Sequence, residues 1–315
     1  MKPSTANFIA YDLRPAKQAE RRMLLDFLKC AHDAEEGLSA CRYVGMGGTT
    51  FYDFHLLHRF LGLKKMVSLE RDEKIIPRVK FNCPFKFIKV THRTAATFLA
   101  ADRDKSRTIY WFDYDDGIGS DVTADITSLG TRVTVGGFAF VTVCGHPPGA
   151  LERESRENRL AYFHEHMGEF SVGLKSEDMD TSAFPNTVHK VLAAAFRNAF
   201  AARTDGRFHA LFQIQYKDTL PMITVGGCLT SEEASQRVVN RVKTDLPFLF
   251  GSSPYMIRRL NLTERERALF DIAATRDAPN SVQAKALLKI GFRTRDFDAY
   301  RDLIRFLPRY HESII

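Results

Sequence analysis

Cysteine pairs and long apolar runs are both scarce in this sequence of 315 residues. Its five cysteines are odd in number and widely spaced, and they form no CxxC pair, which argues against a disulfide framework and a zinc site. No run approaches the roughly 18 to 20 apolar residues of a membrane-spanning helix, and the first residues lack the apolar core of a signal peptide. The sequence therefore predicts a cytoplasmic protein that does not enter a membrane.

Two nucleotide-binding motifs are missing or incomplete. The pattern GxxxxGK[ST] does not occur, which argues against ATP hydrolysis of the P-loop kind. A glycine-rich segment does occur at residues 45–50, but a dinucleotide fingerprint requires glycine or alanine where Thr50 stands. An NAD-dependent oxidoreductase is thus disfavoured.

The composition is that of a folded globular protein. Hydrophobic residues make up 44% and charged residues 26% of the chain, whereas disordered chains combine low hydrophobicity with high charge. The formal net charge of +7 is scattered along the sequence rather than gathered into a basic tail. A nucleic-acid partner is therefore only weakly supported.

Apolar periodicity predicts an α/β fold. Residues 17–38 have helical spacing and are followed by alternating strand-like and helical stretches. The strand-like segments are residues 41–44, 65–70, 87–90, 108–112 and 137–143. Five strands separated by helices indicate a mainly parallel sheet that is covered on both faces. Residues 208–216 and 222–229 flank a short connection and predict a β-hairpin at the end of the sheet.

The chain divides into three predicted parts: an N-terminal helical segment at 1–38, an α/β domain at 39–230 and a helical C-terminal extension at 231–315. Residues 147–185 are charged and irregular, and we interpret them as an excursion over the edge of the sheet. The C-terminal helices carry apolar stripes, which predicts packing onto the domain. A substrate lid or a homodimer contact is the alternative.

A strand, a glycine turn and a helix follow one another around residue 45. Gly45, Gly47 and Gly48 would let backbone N–H groups and a helix N-terminus approach a ligand without side-chain clash. Glu70 ends the next strand, where a carboxylate can accept hydrogen bonds from both ribose hydroxyls of an adenosine-containing cofactor. The pattern favours a cofactor site.

Several segments carry a family resemblance, and together they span most of the chain. They are residues 43–62, 66–70, 111–117, 215–227 and 262–266. The sequence resembles a bacterial family of O-methyltransferases. The resemblance implies a Rossmann-like fold of about seven strands with the last strand antiparallel, S-adenosylmethionine (SAM) as the cofactor, and SAM-dependent methyl transfer to an acceptor that the sequence does not identify.

Methyl transfer requires alignment of the reacting atoms and, for some acceptors, a base. In such a fold the acceptor lies beyond the fourth strand, beside Asp113, Tyr114, Asp115 and Asp116. We expect Asp113 or Asp115 to act as the base or to orient the substrate, and Tyr114 to form a wall. A helix-capping aspartate, Mg²⁺ bound by these carboxylates, or His146 as the base are the alternatives, and no metal ligand is assigned.

The predicted cofactor-binding residues are Gly45, Met46, Gly47, Gly48, Asp53, Glu70, Arg71, His92 and Asp113. Base amino-methyltransferases usually have an Asp/Asn-Pro-Pro-Tyr/Phe segment, which residues 113–116 replace with Asp-Tyr-Asp-Asp. Amino methylation of adenine or cytosine is therefore disfavoured. The alternative from another functional class is a catalytically silent module of the same fold that binds or senses SAM and associates with nucleic acid.

Overall fold

The structure is a computed structural model that describes residues 14–33, 37–275 and 281–308. Within these ranges eight strands form one sheet in the order β3-β2-β1-β4-β5-β7-β6-β8. The strands are β1 (Arg42–Gly45), β2 (Lys65–Glu70), β3 (Ile88–His92), β4 (Thr108–Gly117), β5 (Phe138–Cys144), β6 (Arg207–Lys217), β7 (Pro221–Thr230) and β8 (Tyr255–Ile257).

The sheet is parallel from β1 to β5, as predicted. β7 pairs antiparallel with both β5 and β6, so the predicted hairpin is confirmed. The eighth strand was not predicted: β8 pairs parallel with β6 inside the segment 231–315, which we had expected to be entirely helical. Its three residues are too few to show the alternation of apolar and polar residues by which a strand is recognised.

Helices cover both faces of this sheet. Those described are α1 (Pro15–Ala31), α2 (Tyr52–Leu61), α3 (Ile76–Phe81), α4 (Ala95–Ala101), α5 (Ser120–Arg132), α6 (Arg156–Met167), α7 (Phe184–Ala201), α8 (Glu232–Asp245), α9 (Glu264–Thr275), α10 (Val282–Lys289) and α11 (Thr294–Leu303). The prediction of irregular structure over residues 147–185 was wrong in part, because α6 lies there. Its apolar spacing is weak, since Phe163 and Met167 are its only buried apolar residues.

The hydrophobic core has two layers, one on each side of the sheet. Phe27 of α1 packs edge-to-face on Phe140 of β5 in the first layer. The second layer joins α4, α5 and α7 to the opposite face of the strands. Neighbours in β4 fall into different layers, Trp111 in the first and Phe112 in the second, because strand side chains alternate between faces. Both faces of β4 are therefore buried, as expected of a central parallel strand.

The last three helices pack around Phe270, Leu287 and Tyr300. This unit meets α1 through Arg22, which donates a hydrogen bond to the carbonyl oxygen of Leu307 at 2.9 Å. The predicted domain bounds at residues 38 and 230 stay predictions. Among the helices in the described ranges, none combines the length and the apolar character that crossing a membrane requires.

Candidate active site

A cavity of about 300 Å³ opens at the carboxyl ends of the parallel strands. Its walls come from the residues that follow β1, β2 and β3, from the end of β4 and from the start of α5. The strand order reverses at β1, because β2 and β3 lie on one side of it and β4 and β5 on the other. Open α/β sheets bind their ligands in the crevice at this switch point, and the volume is at the lower end of small-molecule sites, roughly 300 to 1,000 Å³.

The glycine turn after β1 forms the floor of the cavity with Met46, Gly47 and Gly48. A Cβ atom on Gly47 would lie 2.7 Å from Oγ of Ser68, the same oxygen that accepts a hydrogen bond from the Gly47 backbone N–H at 3.1 Å. Gly48 has a φ of 51°, a left-handed conformation that favours glycine. Phe51 adopts a similar φ of 50° without being glycine, and such strained residues cluster at functional sites.

Two predicted residues, Gly45 and His92, are not among the described residues that line the cavity. Gly45 is buried at the end of β1, where the hydroxyl of Tyr43 occupies the place of a Cβ atom. His92 is exposed, with Nε2 3.1 Å from the carbonyl oxygen of Arg71. The next four residues, 93–96, line the cavity in its place.

The end of β2 brings Glu70 and Arg71 into the cavity wall. Oε1 of Glu70 accepts a hydrogen bond from the backbone N–H of Asp72 at 2.8 Å, which fixes the carboxylate at the strand tip. Burial raises the pKa of the Glu70 carboxyl. Arg71 Nη2 donates to Oδ2 of Asp116 at 3.1 Å, so this ion pair joins the end of β2 to the end of β4.

β4 does not end at Phe112 as predicted but continues to Gly117, so Tyr114 and the three aspartates of segment 113–116 belong to the strand. Its ladder with β5 is interrupted between Asp113 and Gly117, which lets the acidic segment depart from regular pairing. Oδ2 of Asp113 lies 2.8 Å from Nζ of Lys17 on α1. Burial raises the pKa of Asp113 although the ammonium opposes this effect.

The next side chain, Tyr114, faces the opposite layer and donates its hydroxyl hydrogen bond to Oδ2 of Asp125 at 2.6 Å. Burial raises the pKa of Asp125 to about 6. Its second oxygen, Oδ1, is buried and has no hydrogen-bond partner among the described residues. Asp125 therefore joins Asp113 as a candidate for acid–base chemistry, because a pKa near neutrality suits that task.

Asp53 lies in the first turn of α2, where a carboxylate is stabilised by the helix dipole. Its Oδ1 accepts a hydrogen bond from Nε of Arg21 at 2.5 Å, and the Arg21 guanidinium lies 4.5 Å from the ring centroid of Tyr52. All three residues line the cavity. The first helix thus contributes a cation directly to the site.

Sequence reasoning missed the α1 residues Lys17, Glu20 and Arg21 and did not place their side chains at the site. A signal was available, because the apolar stripe of residues 24, 27, 28 and 31, extended back at helical spacing, reaches positions 17, 20 and 21. Charged residues on the buried stripe of a helix require partners. Asp125 had no comparable signal, since its pairing with Tyr114 depends on how α5 packs.

The described lining is acidic, although the whole chain is basic. Seven carboxyl and three guanidinium groups face the cavity, a formal excess of four negative charges in a protein whose formal net charge is +7. The arrangement favours a cationic ligand. In the described ranges no three His, Cys, Asp or Glu side chains come together in a group that could hold a metal ion.

Comparisons with known proteins place the chain in a family. Residues 9–315 match the family described as "Putative O-methyltransferase", and no curated protein matches the sequence. An O-methyltransferase structure from Klebsiella pneumoniae, described as putative, is 14% identical, with 71% of this chain and 84% of that one covered and a TM-score of 0.42. The N-methyltransferase NodS from Bradyrhizobium japonicum WM9 is 10% identical, with 70% and 99% covered and a TM-score of 0.41.

An rRNA methylase structure from Streptococcus thermophilus is 14% identical, with 66% of this chain and 95% of that one covered and a TM-score of 0.36. These structural likenesses are weak, so the family match carries the assignment. That match covers nearly the whole chain and confirms the resemblance found in the sequence. The chain belongs to this O-methyltransferase family and is a SAM-dependent methyltransferase with a Rossmann-like fold.

Proposed function

We propose that the cavity at the β1 switch point holds SAM and that the protein methylates a hydroxyl oxygen of a small acceptor, with Asp113 as the base. The observation that carries the proposal is the position of Glu70 and the glycine turn on neighbouring strand tips, on the two sides of one cavity. A ribose-binding carboxylate and a close backbone approach are what an adenosyl ligand requires there.

The residues present fit this cofactor chemically. SAM carries a positively charged sulfonium, and an excess of carboxylates in the lining suits such a cation. Met46, Gly47 and Gly48 would lie against the ligand, Glu70 would bind the ribose hydroxyls, and Arg21 would pair with the carboxylate of the methionyl part. Arg71 would cover the adenosyl part through its ion pair with Asp116.

When bound, SAM supplies a strongly electrophilic methyl group, so the chain's own residues need only align the acceptor and take its proton. Asp113 suits the second task, because burial raises the pKa of its carboxyl and makes it a stronger base than an exposed aspartate. Lys17 fixes Oδ2 of that carboxylate at 2.8 Å. Tyr114, held by Asp125, would form a rigid wall beside it.

The same acidic lining disfavours a phosphodiester backbone inside the cavity, because phosphate and carboxylate repel each other. A small neutral or cationic acceptor is therefore favoured over nucleic acid. The cytoplasmic location and the homodimer stay predictions.

A measurement of methyl transfer distinguishes the proposed enzyme from a module that binds SAM without catalysis. Incubation of the protein with methyl-labelled SAM and fractionated metabolites should label an acceptor, and the label should be lost from the product under conditions that cleave methyl ethers. Asp113→Asn should abolish labelling while SAM still binds, and Glu233→Gln, an exposed change on α8, should not. SAM binding without any labelled product would favour the silent module, and no SAM binding would contradict both functions.

A further inference from the structure

A cluster of buried ionisable groups lies beneath the cavity, between α1 and the ends of the strands. Lys17 is 1% exposed and Glu20 is 0% exposed, and Nζ of Lys17 lies 2.8 Å from Oε2 of Glu20 and 2.8 Å from Oδ2 of Asp113. The ammonium also lies 4.7 Å from the ring centroid of Trp111. One buried cation is thus shared by the buried carboxylate of Glu20 and by the carboxylate of Asp113, which is 19% exposed and faces the cavity.

The charges of this cluster do not balance. Arg21 and Asp53 neutralise each other through their hydrogen-bonded ion pair, but Lys17 carries one positive charge against the two carboxylates of Glu20 and Asp113. An uncompensated charge in a desolvated interior is strongly unfavourable, and such a pair responds by binding a proton or a cation. Burial raises the pKa of both carboxyls, in agreement with a proton held between them.

The groups around the pair do not remove this imbalance of one negative charge. The other titratable groups that face it are Arg14 just before α1, Arg21 on α1, Tyr43 on β1, Asp53 on α2, Asp115 on β4 and Tyr216 on β6. Burial raises the pKa of both tyrosines well above the ordinary value, so they stay neutral. Asp115 adds one negative charge and Arg14, half-buried just before the start of α1, adds one positive charge, so the imbalance stays at one negative charge.

We propose that the Glu20–Asp113 pair acts as a proton store, holding one proton while the cavity contains no cation. The pair releases this proton when SAM binds, and it takes up the proton that O-methylation produces. This inference rests on the proposed function. Asp113 lines the cavity, and Glu20 lies behind Asp113 in the interior. The positive charge of the bound ligand would therefore compensate the carboxylates in place of the proton, because charges interact strongly where water is excluded.

The proposed step balances in atoms and charge. The acceptor oxygen forms a bond to the methyl carbon, the bond from sulfur to that carbon breaks with its electron pair left on sulfur, and the hydroxyl proton passes to Asp113. The cofactor loses its positive charge as the carboxyl pair regains its proton. The negative charge of the cluster is therefore compensated both before and after methyl transfer. The thioether product, S-adenosylhomocysteine (SAH), carries no sulfonium charge and so does not displace the proton.

Calorimetric titration in buffers of different ionisation enthalpy counts the protons exchanged on binding. Near pH 7 we expect SAM to release more protons than SAH, with the difference approaching about one proton. Glu20→Gln keeps the shape of the side chain but removes its charge, so the charges of Lys17 and Asp113 then cancel. This variant should release equal numbers of protons with SAM and SAH while both ligands still bind. Glu233→Gln, an exposed carboxylate on α8, should leave the difference intact.

Each result decides the matter. Equal proton release with SAM and SAH in the unaltered protein overturns the proton store while the proposed function stands. A difference that survives in Glu20→Gln but disappears in Asp125→Asn would place the proton at Asp125, another buried carboxyl in the cavity wall, and would also overturn it. Failure of SAM to bind contradicts the proposed function, and the proton store with it.

Discussion

Lys17 on the first helix places its ammonium nitrogen 2.8 Å from a carboxylate oxygen of Asp113 at the end of the fourth strand. The helix is held there by the hairpin turn as well, because both oxygens of Asp218 accept hydrogen bonds at 3.0 Å from the backbone N–H groups of Ala16 and Lys17. The segment before the sheet is therefore part of the site, and changes in α1 should affect both stability and binding.

Removal of the buried ammonium should be strongly destabilising. Lys17→Met leaves the buried carboxylate of Glu20 and the partly buried carboxylate of Asp113 without their ammonium partner, and breaking a buried ion pair in this way costs about 3 to 5 kcal/mol of unfolding free energy. Urea denaturation measures the loss, and Lys29→Met, an exposed change on the same helix, is the matched control.

The double variant Lys17→Met, Glu20→Gln should recover part of that loss, because one of the two uncompensated carboxylates is then gone. Two results would show that electrostatic attraction does not stabilise the cluster. The single and double variants would have equal stability, or Lys17→Met would be as stable as the Lys29→Met control.

Glu70 should control cofactor affinity. Glu70→Ala removes a charged hydrogen-bond acceptor, which should weaken SAM binding by about 1 to 3 kcal/mol, or roughly 5- to 150-fold. Glu73→Ala, three residues further on and exposed, should bind SAM as the unaltered protein does. Calorimetric affinities that are the same for both variants would remove Glu70 from the site.

Asp125 should impose a pH dependence on stability. Its pKa is raised from 3.8 to about 6 by burial, so the stability it contributes is fully present below about pH 4 and is lost as the pH rises through about 6. Asp125→Asn does not ionise and its amide oxygen can still accept the hydrogen bond from Tyr114. The variant's melting temperature relative to the unaltered protein should therefore rise between pH 4 and pH 7, on the order of 2 to 4 °C.

A constant difference in melting temperature across this pH range would mean that Asp125 does not titrate there. A variant that loses stability at every pH would instead show that Asn cannot replace the carboxylate as the partner of the Tyr114 hydroxyl.

The ion pair of Arg71 and Asp116 should affect how fast the cofactor leaves. Both side chains are 50% exposed, so the pair contributes at most about 1 kcal/mol to stability. Because it joins two strand tips at the cavity, Asp116→Asn should speed SAM dissociation severalfold, measured by stopped flow, with little change in melting temperature. High salt should speed dissociation from the unaltered protein in the same way, and a rate that neither change alters would contradict this role.

Periodicity and local motifs predicted the elements that have clear spacing. The five parallel strands and the hairpin were confirmed, because apolar runs and short connections leave few other arrangements. β8 escaped prediction because three residues have no measurable period, and α6 because only two of its apolar residues are buried. The continuation of β4 through Asp113 was missed because acidic residues are rare in strand interiors.

The glycine turn and Glu70 could be found from the sequence because their chemistry follows from neighbouring positions on the strand tips. Residues brought to the cavity by tertiary packing could not be found in this way. Arg21 reaches it only because α1 crosses the strand ends, and His92 turns away although the residues after it face the cavity.

The most direct test of the account is a crystal structure of the protein with SAH. We predict the adenosyl group in the cavity at the ends of β1, β2 and β4, with both ribose hydroxyls donating hydrogen bonds to Glu70 and the sulfur atom on the Asp113 side. SAH bound elsewhere on the molecule, or a cavity closed by side chains in the presence of saturating ligand, would contradict it.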